Sequence, residues 1–174
     1  MIELELTYLA KFLPEGLKDC KYKEIIDVYL PKSSEHPKLR LRKSGNNYEL
    51  CKKQVVKAGD ASEQTEETIV LTEEEFNGLS SQLDGKRVHK LRYYYDHKGR
   101  TAEFDVFQGE LLGVVVIDFE FETKEEKDNF EMPNFCMVDV TQELFIAGGM
   151  ICGRTYSDIE EDLARFNYQK LFLD

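Results

Sequence analysis

No two of the four cysteines, Cys20, Cys51, Cys136 and Cys152, stand in a Cys-x-x-Cys spacing. The pattern gives no ground for a zinc knuckle or a dithiol redox motif, and the thiols read as small, reduced, mostly buried residues. The three histidines, His36, His89 and His97, are as scattered and show no metal-ligand spacing. No apolar run approaches the ~20 residues that a membrane-spanning helix needs; the longest is short and lies around residues 114–117. No basic and then apolar leader precedes the first strand pattern, so a cytoplasmic location is the expectation. Excess positive charge is also missing. A net charge of −11 argues against a general nucleic-acid or anionic-membrane binder, although it leaves room for a local basic pocket. Neither repeats nor a low-complexity linker break up the 174 residues, which suit one domain spanning 1–174.

What is there begins with strict alternation. In Ile2-Glu3-Leu4-Glu5-Leu6-Thr7-Tyr8, acids and a threonine share one face of a strand and apolar residues the other. Glu3 and Glu5 are then roughly 7 Å apart and repel unless water or a cation compensates. Further strands are predicted at 21–30, 38–43, 48–56, 66–71, 87–96, 100–107 and 112–122. Ser44-Gly45-Asn46-Asn47 and His97-Lys98-Gly99 serve as turns. A short turn of helix starts at Pro14, residues 57–62 read as a loop, and helices are predicted at 72–83, under a Thr72 cap, and at 123–130. The last part reads as a loop, a short segment at 141–145, a Gly148-Gly149 break and a closing helix at 157–168. About eight strands, several joined by hairpins, predict a mainly β (α+β) fold: an antiparallel barrel or strongly curved sheet with short helices outside it.

The polar faces of these strands are nearly single-signed. Glu103 and Asp105 oppose Ala102, Phe104 and Val106, while Asp118, Glu120 and Glu122 oppose Ile117, Phe119 and Phe121. Arg40 and Arg42 oppose Leu39 and Leu41, and Lys90 and Arg92 oppose Leu91 and Tyr93. Any one strand of this kind is ordinarily the solvent face of a half-buried sheet. Solvent faces mix signs, however, because like charges side by side are unfavourable. The set therefore suggests a barrel with its charges inward. Carboxylates, the hard ligands that magnesium or manganese take, would form one wall, and guanidinium and ammonium groups, the donors a polyphosphate needs, the other. Glu66, Glu67 and Glu73 to Glu75 read as solvated surface.

Here the chain resembles CYTH-domain proteins of the triphosphate tunnel metalloenzyme superfamily. The shared features are the Glu-x-Glu strand, Leu39-Arg40-Leu41-Arg42, Cys51-Lys52-Lys53, Lys90-Leu91-Arg92, Glu103-Phe104-Asp105-Val106-Phe107-Gln108-Gly109, Asp118-Phe119-Glu120 and Asp139-Val140-Thr141, in the family's order over nearly the whole length. The resemblance implies an eight-stranded antiparallel barrel forming a tunnel that takes a small-molecule triphosphate with Mg2+ or Mn2+, and no nucleic-acid or membrane partner. It leaves a homodimer open. It implies a metal side of Glu3, Glu5, Glu103, Asp105, Asp118, Glu120 and Glu122, with Asp118 and Glu120 favoured among the last three. Arg40, Arg42, Lys53, Lys90 and Arg92 would hold phosphates, with Lys53 preferred to Lys52. The family signature is Glu-x-Glu-x-Lys, and Thr7 stands where the lysine, tied to catalysis, would be. Glu5, Thr7 and Lys11 are thus the catalytic candidates, Lys11 sharing their parity about 13 Å along the strand. The leading expectation is metal-dependent hydrolysis of a triphosphate, inorganic triphosphate first and organic triphosphates next. The alternatives are a class IV-type adenylyl cyclase making cyclic AMP from ATP and, because of Thr7, a non-catalytic triphosphate- or nucleotide-binding module.

Overall fold

The computed structural model describes residues 2–83 and 85–173. Eight strands close on themselves: β1 (Ile2–Ala10), β2 (Tyr22–Leu30), β3 (Leu39–Ser44), β4 (Asn47–Lys57), β5 (Asp60–Leu71), β6 (Lys86–His97), β7 (Arg100–Phe107) and β8 (Val115–Phe121). The order β5-β4-β3-β2-β6-β7-β8-β1 is completed by pairing of β1 with β5, and every ladder is antiparallel. The mainly β barrel expected from the alternation is therefore the fold. Closure leaves no free sheet edge among these eight strands and turns the period of two into an inside and an outside.

Closure depends on a stretch that reads as a loop in the sequence. β5 begins at Asp60, with Lys57 paired to Asp60 across a tight turn in which Gly59 adopts φ 85°. A positive φ is the conformation that glycine takes without steric penalty. Glu3 then pairs with Gln64 to shut the barrel. Asp, Ala, Ser and Gln are poor strand formers, so tertiary pairing decides this segment. The same holds for a short ninth strand, β9 (Cys136–Asp139), which continues on β1 at Tyr8–Ala10.

Outside the barrel, Phe104, Ile117 and Phe119 pack with Leu4, Tyr8 and Phe135 in a dry layer. Helix α1 (Glu73–Gln82) starts in a Thr72–Glu75 capping box and sets Phe76 against Val28, Leu30 and Leu41. A short helix α2 (Lys124–Asp128) follows β8. Gly148-Gly149 opens helix α3 (Gly148–Ile151) and is no break. A Cβ on Gly148 would stand 2.1 Å from the Tyr29 hydroxyl, and one on Gly149 would stand 2.3 Å from the Pro37 carbonyl. Glycine is needed here for close approach of α3 to the barrel. Helix α4 (Tyr156–Ala164) joins α3 in capping one end of the barrel, where Ile159 and Leu163 belong to one core with Leu9, Val88, Phe107 and Val116. No helix among the described residues is long and apolar enough to cross a membrane.

Candidate functional site

A cavity of about 560 Å³ occupies the barrel interior. Alternation sends Glu3, Glu5 and Thr7 of β1, Arg40 and Arg42 of β3, and Lys53 of β4 into it. Lys90 and Arg92 of β6, Asp105 of β7, and Asp118 and Glu120 of β8 also line it. Glu103, two residues before Asp105, ion-pairs with Arg92. Lys53 faces the cavity, whereas Lys52 is exposed. Val88, Phe107, Val116 and Ile151 form an apolar floor above the helical cap.

Two expected residues lie elsewhere. Lys11 is exposed beyond the end of β1, where the chain turns away and its amide donates to the Phe135 carbonyl at 2.7 Å. Parity has no meaning past the last laddered residue, so Lys11 does not stand in for a lysine at position 7. Glu122 is exposed beyond the end of β8, and its amide donates to Glu126 at the entry to α2; it drops out of the acidic wall for the same reason.

The structure adds residues that the sequence reading passed over. Asp27 and Tyr29 of β2 face inward. Arg42 Nε and Nη2 donate to the two Asp27 oxygens at 2.7 and 2.8 Å, and Arg40 Nη1 donates to the Tyr29 hydroxyl at 3.1 Å. Consecutive Ile25 and Ile26 hide the alternation of this strand. Glu66, read as solvated surface, lines the cavity and accepts from Arg40 Nη2 at 3.3 Å. Its position opposite Lys53 in the β4–β5 hairpin is the signal that could have shown it.

The two walls are paired across the interior. Arg92 donates to both Asp105 oxygens at 2.6 Å, to Asp118 at 2.9 Å and to Glu103. Lys90 donates to Asp105. Lys53 Nζ sits 2.5 Å from Glu3, 3.9 Å from Glu5 and 3.7 Å from Glu66. Buried charges persist only when so partnered. Burial pushes Asp105 up, but Arg92 and Lys90 outweigh it and hold it at about 2. Asp118 goes the other way: burial, and then the charge of Glu5, push it up to about 7. Burial raises Glu103 and Glu120 as well, with other carboxylates adding to the rise. Burial also lowers Lys90. The Thr7 hydroxyl donates to Asp118 Oδ1 at 2.8 Å, and its amide donates to the Thr141 hydroxyl at 2.9 Å.

The donor chemistry fits a hard divalent cation. Glu3, Glu5, Asp118 and Glu120 offer only oxygen, and the raised carboxylates are those that a nearby cation would relieve. Among the described residues no three Asp, Glu, His or Cys side chains are already gathered as a metal site, because the acids are turned to Arg92, Lys90 and Lys53.

No family model matches the chain. It is 28% identical over 144 residues to an inorganic triphosphatase from Nitrosomonas europaea, which covers 82% of this chain and 91% of that protein. The crystal structure of an inorganic triphosphatase superposes with a TM-score of 0.63 at 23% identity, over 87% of this chain and 94% of that one. The Hippeastrum adenylyl cyclase candidate HpAC1, described as having a dominant triphosphatase activity, superposes with a TM-score of 0.51 at 13% identity, over 73% and 82% of the two chains. With its closed eight-stranded barrel and inward-facing charges, the chain has the fold of the CYTH proteins, the triphosphate tunnel metalloenzymes.

Proposed function

We propose that this chain is a metal-dependent triphosphatase acting on inorganic triphosphate, with organic triphosphates as the next class. The observation that carries the reading is one cavity with a basic and an acidic wall: Arg40, Arg42, Lys53, Lys90 and Arg92 in reach of a polyanion, and Glu3, Glu5, Asp118 and Glu120 in reach of a cation. The similarity to triphosphatases supports it. Charge that spreads over a transferred phosphoryl group is stabilised by preorganised cations. Arg42, gripped by Asp27, and Arg40, held by Tyr29 and Glu66, are preorganised in that sense. Lys90, Lys53 and Arg92 exchange their carboxylate partners for phosphate oxygens. Glu5 stays ionised, since burial raises it but Lys53, Arg92 and Lys90 outweigh that, so it acts as a ligand or proton acceptor and not as an acid. Mg2+ or Mn2+, held by Glu3, Glu5, Asp118 and Glu120, would polarise the phosphate oxygens and lower the pKa of the attacking water. We place the protein in the cytoplasm, with no nucleic-acid or membrane partner.

One observation favours a second reading. Position 7 supplies a hydroxyl already committed to Asp118 and no ammonium, which suits a module that binds triphosphate without turning it over. Purified protein incubated with tripolyphosphate, ATP and thiamine triphosphate, with magnesium or manganese, separates the two. Phosphate release supports the hydrolase, calorimetric binding without release supports the module, and cyclic AMP from ATP would replace both with a cyclase.

A further inference from the structure

Every strand-borne cation that lines the cavity has a carboxylate partner: Arg40 has Glu66, Arg42 has Asp27, Lys53 has Glu3, and Lys90 and Arg92 have Asp105. Beside helix α3 the rule fails. His36 and Lys38 also line the cavity, and among the described residues neither has a carboxylate within ion-pair distance. They face each other instead, with Lys38 Nζ 2.8 Å from His36 Nε2. Burial lowers both groups, and the charge of Lys38 lowers His36 further, against a smaller opposing pull from Glu35. The other acids lining this part of the cavity are engaged elsewhere. Asp60 accepts from Ser62 and Gln142, and Glu143 pairs with Arg165.

This pair is built into the fold. Lys38 immediately precedes β3, and its carbonyl still accepts from the Lys53 amide at 3.3 Å. Its side chain therefore extends the inward row of Arg42 and Arg40 by one more step of about 7 Å. The loop that carries His36 is pinned by Lys86, which donates to the Ser34 carbonyl at 2.7 Å, and by α3, whose Gly149 backbone is pressed against His36 and Pro37.

We propose that His36 and Lys38 form a further anion subsite beside α3 that receives the terminal phosphate group of a linear inorganic polyphosphate whose other groups lie against Arg40, Arg42 and Lys53, and so set the chain-length preference of the site. A lysine without a carboxylate partner, donating to the His36 ring and aligned with a row of phosphate donors, takes an anion and not a nucleoside. The inference rests on the triphosphate reading above.

The test is calorimetric titration of the full chain, with and without magnesium, using pyrophosphate, tripolyphosphate, tetrapolyphosphate and ATP. Lys38→Ala is expected to weaken tetrapolyphosphate about tenfold and tripolyphosphate about threefold, and to leave pyrophosphate within about twofold. Lys38→Arg, which keeps the charge, restores affinity to within about twofold of wild type. Equal losses for all three inorganic chains would mean a general electrostatic effect and overturn the subsite. So would unchanged affinities, or a loss confined to ATP, which would put a nucleotide tail beside α3. If the wild-type chain binds none of these ligands under either condition, the triphosphate reading itself fails and the subsite with it. If wild type binds tripolyphosphate and Lys38→Ala binds every chain as well, only the subsite fails.

Discussion

Strand β7 is buried on both faces, and the two faces are chemical opposites. Ala102, Phe104 and Val106 face outward into a dry layer. Asp105, on the inner face, is as fully buried as Phe104, at 0% exposure each. An ordinary two-faced strand gives its apolar side to the core and its polar side to water. Here barrel closure takes both sides from water, so the inner side survives only through its partners, Lys90 and Arg92. The outer face should therefore carry stability and the inner face should carry ligand, and the comparison can be broken from either side.

The largest effect is expected outside. Phe104→Ala, which empties a packed position among Tyr95 and Phe135, costs about 4 kcal/mol of unfolding free energy in a urea titration. Inside, Asp27→Ala leaves the half-buried Arg42 without its partner and costs about 3 kcal/mol. It also has a pH signature. Burial pushes Asp27 up, but Arg42, with Arg40 and Lys90 behind it, holds it well below the usual carboxylate range. A depressed carboxylate contributes stability above its unfolded value of about 4 and loses it as the pH falls through the folded value. The gap between wild type and Asp27→Asn should thus close as the pH is lowered below about 4, read by thermal melts. An unchanged gap would separate Asp27 from the acid sensitivity.

Arg40→Ala is expected to weaken tripolyphosphate binding by about 2 kcal/mol, roughly thirtyfold, with a smaller loss of stability than Asp27→Ala causes. If it loses stability and keeps affinity, the inner face is structural. Adjacent lysines give a sharper contrast. Lys53→Ala should lower affinity about tenfold and Lys52→Ala less than twofold, because one lies inside the barrel and the other in solvent. The smallest effect belongs to Val70, 80% exposed on β5. Val70→Thr should leave unfolding free energy within about 0.5 kcal/mol of wild type.

These contrasts mark what could be read from the chain. Where alternation was strict, as at Glu3-Leu4-Glu5, Arg40-Leu41-Arg42 and Glu103-Phe104-Asp105, both the strand and the residues sharing a face were legible, since a period of two needs no knowledge of neighbours. It failed at Ile25-Ile26, where two apolar residues in a row concealed Asp27 and Tyr29. It failed again at 60–65, where weak strand formers are held by pairing with β1 and β4. Lys11 and Glu122 were misplaced because parity was carried past the ends of their strands. His36 had no periodic signal, since a loop brings it against α3; Lys38 shares the parity of Arg40 and Arg42, but only the fold shows that it meets His36.

The amino-acid order alone determined that these strands have one charged face each, with the signs segregated by strand. It could not determine which carboxylate meets which cation. That was decided when β1 closed onto β5 and the charged faces turned inward. Pairing across the interior joins residues far apart in the chain, such as Lys53 with Glu3 and Arg92 with Asp118. It follows from register and curvature, and local sequence encodes neither.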